Sequence, residues 1–236
     1  MPNTGAEHIV TAYSEELLSL AQSIAEMGGL VEVAVENGTR ALIKLDRELA
    51  DVTIIADQRI DDMQRRIDEM AVSMIARRQP MASDLRAIIT AIHVAGDLER
   101  IGDMAKQLAR RSLKIEGINL QPTFYNGVKN MTALVLRQVK DALDAYGNRD
   151  AAAAIEVCNH DDEVDAMHTS LFRELLTYMM EDPRNITTCT HLLFCAKNLE
   201  RVGDHATNIA ERAYYLATGK QLTPEVQELQ RQQIKI

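Results

Sequence analysis

Apolar positions along this chain recur at intervals of three and four, as in Met27, Leu30, Val31, Ala34 and Val35. That is the stripe one face of an α-helix presents to a core. No stretch alternates apolar and polar residues in the manner of a half-buried strand. Gly and Pro are sparse and fall at breaks: Pro80, Gly117, Pro122, Gly147, Pro183, Gly219 and Pro224 divide the chain into long segments. Those segments are rich in Ala, Leu, Met, Glu, Gln and Arg, all good helix formers. They predict six long helices, over 7–45, 48–78, 84–115, 123–146, 150–181 and 185–217. Ser83 ahead of Asp84, and Asp150 after Gly147-Asn148, predict N-caps. Gly117 and Gly219 predict helix stops, and Thr223-Pro224 the start of a short tail helix. The join between the first two helices lacks both Gly and Pro and is placed near Asp46 by the repeat.

That repeat organises the whole chain. Leu98-Glu99-Arg100-Ile101-Gly102-Asp103 returns as Leu199-Glu200-Arg201-Val202-Gly203-Asp204, 101 residues later. Upstream, a shift of 104 carries Met27 onto Met131, Leu30 onto Leu134, Asp46 onto Asp150, Asp57 onto Asp161, Ile60 onto Val164, Asp61 onto Asp165 and Met63 onto Met167. Each half therefore reads as three antiparallel helices with short loops, which make a bundle. The predicted architecture is all-α and elongated: a first three-helix bundle over 1–118, a second over 119–220, and a short tail over 221–236.

Charge narrows the partners. The formal net charge is −9, with no basic stripe of the kind nucleic-acid binding requires, and an anionic membrane surface repels such a chain. The longest apolar runs, such as Ala151 to Ile155, fall far short of the ~18 residues of a membrane span. The N-terminus has no basic region followed by an apolar core, so no signal peptide is read and a cytoplasmic location is expected. Cys158, Cys189 and Cys195 form no Cys-x-x-Cys pair; an odd count at irregular spacing argues for reduced, mostly buried thiols. Cations remain the attractive partner.

The acids are patterned to receive them. Asp57 and Asp61 stand four apart on the second predicted helix, and Glu99 and Asp103 four apart on the third. Asp161/Asp165 and Glu200/Asp204 repeat both pairs. Residues four apart share a helix face, and like charges there cost roughly 0.2–0.5 kcal/mol per pair. Four facing acids per half would cost more unless protons or metal ions intervene. All-oxygen ligands select hard cations such as magnesium, calcium, manganese or oxidised iron, with zinc possible. Asn208, one turn beyond Asp204, adds an amide oxygen, and its counterpart is Gln107. A single such pair is usually a solvated helix face; duplication in register favours a cation. Gly102 and Gly203 inside helices imply close approach of a neighbouring backbone or ion, or tight helix packing. Arg100 and Arg201 are read as surface ion pairs in preference to partners of the facing acids. The histidines do not repeat, and no Glu-x-x-His pair of a ferritin-like di-iron site occurs; Asp165-x-x-His168 stands alone. No P-loop, dinucleotide turn or nucleophile elbow is present. A multinuclear-metal oxidoreductase or hydrolase on a helical bundle is the alternative to a non-catalytic protein.

The paired acids in two three-helix repeats resemble the PhoU family of bacterial phosphate-transport accessory proteins. The matching residues are Asp57/Asp61, Glu99/Asp103, Asp161/Asp165 and Glu200/Asp204, with 76–86 and 176–186 also similar to family segments. The first pair of each half uses Asp at its leading position in place of the family's Glu, and Gln107 stands where the family often has Asn. The resemblance implies a cytoplasmic regulator, not an enzyme, that restrains phosphate uptake and phosphate-starvation signalling. It implies an adaptor between the ATPase subunit of a phosphate ABC transporter and a sensor histidine kinase, commonly a homodimer or higher oligomer, with iron, zinc, manganese or magnesium at the acids.

Overall fold

A computed structural model describes residues 4–115, 122–223 and 225–226. Seven α-helices carry the fold: α1 (Thr4–Lys44), α2 (Arg47–Arg78), α3 (Ser83–Ile115), α4 (Asn126–Asn148), α5 (Ala151–Asn159), α6 (Asp161–Glu181) and α7 (Ile186–Thr218). Single 3₁₀ turns at Pro122–Tyr125 and Pro183–Asn185 lead into α4 and α7. At 1.5 Å per residue α1 alone spans about 60 Å, so the bundle is long along its helix axes. No strand occurs among the described residues.

The expected cap at Asp150 holds, and Asp46, where the join was placed, caps α2 in the same way. Asp46 Oδ1 accepts from Leu49 N at 3.0 Å, and Asp150 Oδ1 accepts from Ala152 N and Ala153 N at 2.9 and 3.0 Å, satisfying first-turn donors that have no partner inside the helix. Gly219 closes α7 in the left-handed conformation (φ 74°). Two expectations need correction. Ser83 is not a cap; it is the first residue of α3, preceded by Ala82 at φ 46°. The fifth helix, expected over 150–181, breaks at His160. The His160 N–H reaches both Glu156 O and Val157 O at 3.2 Å, and its Nδ1 lies 2.7 Å from Glu156 O. Asn159-His160 stands where the first half carries Ile55-Ala56, better helix formers whose α2 runs unbroken. Gly117 and most of the tail beyond Thr223 lie outside the described residues.

Helices α1–α3 form one three-helix bundle and α4–α7 the other, with α3 packed on α7 and α1 on α4. Both contacts are antiparallel: Thr39 Oγ1 lies 3.0 Å from Thr132 Oγ1 while Gly28 lies against Leu143, and Arg111 meets His191 while Arg86 stacks over Tyr215. The shift of 104 exchanges the first two of these pairings, so the halves are related by an approximate two-fold axis. One apolar core runs through both, from Ile24, Met27 and Val31 in α1 through Leu98 and Leu108 in α3 to Leu192, Leu199 and Ile209 in α7. Each such side chain taken fully out of water contributes about 1.5–3 kcal/mol. The Tyr13–Lys44 stretch of α1 is long and apolar enough to cross a membrane. Five glutamates interrupt it, and its apolar stripe (Leu20, Ile24, Met27, Val31, Val35, Leu42) is the buried side that faces the core. Cys158, Cys189 and Cys195 are free and buried as expected; burial pushes the Cys158 and Cys195 thiols up to about 12, leaving them protonated and inert.

Candidate metal centre

The acid pairs of each half stand on neighbouring helices and face one another. In the first half, Asp57 and Asp61 project from α2 toward Glu99 and Asp103 of α3. Burial, then repulsion from Asp57, lifts the Asp61 carboxyl above its usual range, with Asp103 adding to the rise and Lys106 opposing it. Burial also lifts Glu99, with repulsion from Asp103, Asp61 and Asp57 adding to it. All four acids therefore feel one another. Asp57 is only 3% exposed, and no ion-free carboxylate stays so deep without a partner. Its partner is Lys106 of α3, whose ammonium is bonded to Asp57 Oδ2 and stands 3.6 Å from Asp103 Oδ1. The bond to Asp57 raises the Lys106 pKa. Asp57 Oδ1 has no hydrogen-bond partner and faces Gly102, where a Cβ would come within 3.5 Å of it and 3.0 Å of Ile60.

The second half repeats the acids but not their company. Asp161 opens α6 directly after the break at His160, with Asp165 one turn on; Glu200 and Asp204 lie on α7. Partial desolvation of its carboxyl on the α6-facing side lifts Asp204 although the residue is exposed, with repulsion from Glu200, Asp161 and Asp165 adding to the rise and Lys197 opposing it. At the position of Lys106 this half has Thr207, whose hydroxyl donates to Asp161 Oδ1 at 2.9 Å. From α4, buried Gln138 donates to the same oxygen at 3.4 Å and to Thr207 at 3.0 Å. Its own Oε1 is unpartnered and lies 3.1 Å from where a Cβ on Gly203 would stand. Ala34 occupies the Gln138 position in the first half. Long and short residues have thus traded helices: Lys106 with Ala34 in one half, Thr207 with Gln138 in the other. Asp165 and Asp204 are exposed, and Lys197 pairs with Glu200 from the rim of α7, its own side chain 54% exposed.

Asn208 takes another direction. Its Nδ2 is 3.4 Å from Asp97 Oδ1 of α3, which also receives His205 Nδ1 at 3.0 Å, so this trio joins the two bundles. Among the described residues, no three His, Cys, Asp or Glu side chains converge closely enough to hold an ion. Arg100 lies 3.5 Å from Glu99 and is largely exposed, the surface pair expected. Gly102 and Gly203 pack against Ile60 and Val164 side chains, the tight packing that was one of the two readings for them. Lys106, Thr207 and Gln138 escaped the sequence reading. Their signal was the mismatch of Lys106 with Thr207 inside an otherwise matched register.

The raised carboxyls fix a pH dependence. An acid whose folded pKa lies above its unfolded value binds its proton more tightly when folded, so its ionisation opposes folding. That penalty is complete above the folded pKa and disappears as pH falls through it. In chelator, Asp61→Asn and Glu99→Gln are therefore expected to raise the neutral-pH melting temperature by about 1–3 °C each. The gain shrinks toward pH 4 in thermal melts; a gain that grows on acidification contradicts the assignment.

The PhoU domain family matches residues 24–112 and 128–213. The chain is 53% identical over 214 residues to the phosphate-specific transport system accessory protein PhoU homolog of Rhizobium meliloti, covering 91% of this chain and 90% of that one. It is 45% identical over 219 residues to the protein of the same name from Caulobacter vibrioides, covering 93% and 95%. The crystal structure of PhoU from Pseudomonas aeruginosa superposes with a TM-score of 0.84 at 42% identity, covering 88% of this chain and all of that one. A phosphate transport system regulatory protein PhoU from Streptococcus pneumoniae gives 0.82 at 30% identity, covering 89% and 99%.

Proposed function

The chain belongs to the PhoU family, and on that premise we propose that it is a cytoplasmic, non-catalytic negative regulator of phosphate uptake and phosphate-starvation signalling. Its helix faces would engage the ATPase subunit of a phosphate ABC transporter and a sensor histidine kinase, with the protein a homodimer or higher oligomer. The observation that carries this reading is the high identity along nearly the whole chain to relatives named as accessory proteins of phosphate-specific transport. Support from the site is chemical. The carboxylates Asp57, Asp61, Glu99 and Asp103, and in the second half Asp161, Asp165, Glu200 and Asp204, form an all-oxygen set suited to a hard cation. Such a cation would supply charge neutralisation and draw the two acid-bearing helices of a half together.

Deleting the gene tests the reading. Transcription of phosphate-starvation genes is expected to rise at least about tenfold in phosphate-rich medium and to fall again when the gene is restored on a plasmid; a tenfold change in such a switch corresponds to about 1.4 kcal/mol of bias. Starvation genes that stay silent in the deletion strain reject the proposal.

A further inference from the structure

The two acid clusters are alike in sequence and unlike in what neutralises them. In the first, Lys106 stands between the helices, touching Asp57 of α2 and Asp103 of α3, and is itself only 21% exposed. It occupies the place a bridging cation would take. In the second, the equivalent Thr207 is neutral, and its hydroxyl and the Gln138 amide satisfy one oxygen of Asp161 without adding charge. Lys197 pairs with Glu200 on its own helix and from the solvent side, and it acts on Asp204 only through its field, without reaching across to α6. Buried Gln138 keeps an unpartnered carbonyl oxygen against Gly203, beside the α7 stripe that carries Glu200 and Asp204. A hard cation prefers such an oxygen to water where acids complete its shell. The carboxylates of Asp165 and Asp204 are exposed, whereas Asp57 and Asp103 of the first half are tied to Lys106.

We propose that the duplicated clusters have diverged: the second half, between α6 and α7, is the divalent-cation site, and in the first half the Lys106 ammonium replaces the ion as a permanent clamp between α2 and α3. This rests on the reading of the acids as a cation site. It gives the molecule one half of fixed geometry and one whose helix spacing responds to an ion.

Manganese binding to the full chain, measured by calorimetry and by elemental analysis after gel filtration, tests the proposal. Wild type is expected to bind Mn²⁺ and to lose it in Glu200→Gln/Asp165→Asn, while Asp61→Asn/Glu99→Gln retains it. Lys106→Thr, which copies Thr207 into the first half, should raise the Mn²⁺ bound per chain about twofold. The reciprocal Thr207→Lys should abolish the wild-type binding, with far-ultraviolet circular dichroism checking that each variant folds. Equal loss from either half's variants, or unchanged binding in both Lys106→Thr and Thr207→Lys, overturns the divergence while leaving the acids as cation sites. No Mn²⁺ on wild type or on Lys106→Thr overturns both.

Discussion

Lys106→Met is expected to lower the melting temperature in ion-free buffer by about 6–12 °C. The change keeps most of the side-chain volume and removes only the ammonium. Asp57, at 3% exposure, then loses the cation bonded to its Oδ2 while its Oδ1 already lacks a partner. Stranding one member of a buried pair costs about 3 kcal/mol or more, and for a chain of this length each kcal/mol moves the midpoint by roughly 2–4 °C. Adding Asp57→Asn should recover most of the loss, because an amide left in that position carries no charge. Lys197→Met, at the exposed pair with Glu200, should shift the midpoint by no more than about 2 °C. A Lys106→Met protein that melts with wild type would show that the Lys106–Asp57 contact does not neutralise a buried charge.

Why the acids could be read from the chain and their neutralising partners could not follows from how each is specified. Positions four apart share a helix face whatever that helix packs against, so Asp57/Asp61 and Glu200/Asp204 needed only the helices to exist. Lys106, Gln138 and Thr207 matter because of which helix turns toward which, a property of the packed bundle. Gln138 comes from α4, a helix that carries none of the acids. The helix ends show the same division. Asp150 caps locally and was legible as a cap, as was Gly219 as a stop, while Asp46 was legible only as the place of the join. The stops at Leu45, Gln79 and Arg149 use left-handed backbone (φ 51°, 48° and 52°) without glycine, so tertiary packing sets them against local preference. The break at His160 was hidden by the repeat itself: aligning 150–181 with the continuous α2 carried one half's regularity into the other, although Asn159-His160 replaces Ile55-Ala56.

The break also shapes the site. It places Asp161 in the first turn of a helix, where unpaired N–H groups and the helix dipole favour an anion, whereas Asp57 lies in mid-helix with no such help. The first half compensates with a full positive charge and the second with neutral donors and a helix end. Divergence in backbone and divergence in side chains therefore point the same way: charge is settled internally in one half and left to the surroundings in the other.

Two glycines of α1 should respond to alanine with opposite sign. Gly29 is exposed, and a Cβ added there would meet no heavy atom within 4 Å; Gly29→Ala gains helix propensity alone, about 1 kcal/mol, and should raise the melting temperature by about 2–4 °C. Gly38 is buried where α1 crosses α3, and a Cβ there would stand 2.7 Å from the carbonyl oxygen of Ala105 and 3.3 Å from Leu108 Cβ. The obstacle is backbone, so no rotamer change relieves it and the two helices must separate. Overpacking of this kind costs about 1–3 kcal/mol, and here it extends along a contact between long helices whose core residues Leu42, Ala105 and Leu108 are fully buried. Gly38→Ala should therefore lower the midpoint by about 4–8 °C despite its better helix propensity. Thermal melts of the two variants side by side decide the matter: equal stabilisation by both would mean that α1 and α3 do not approach as closely as Gly38 requires.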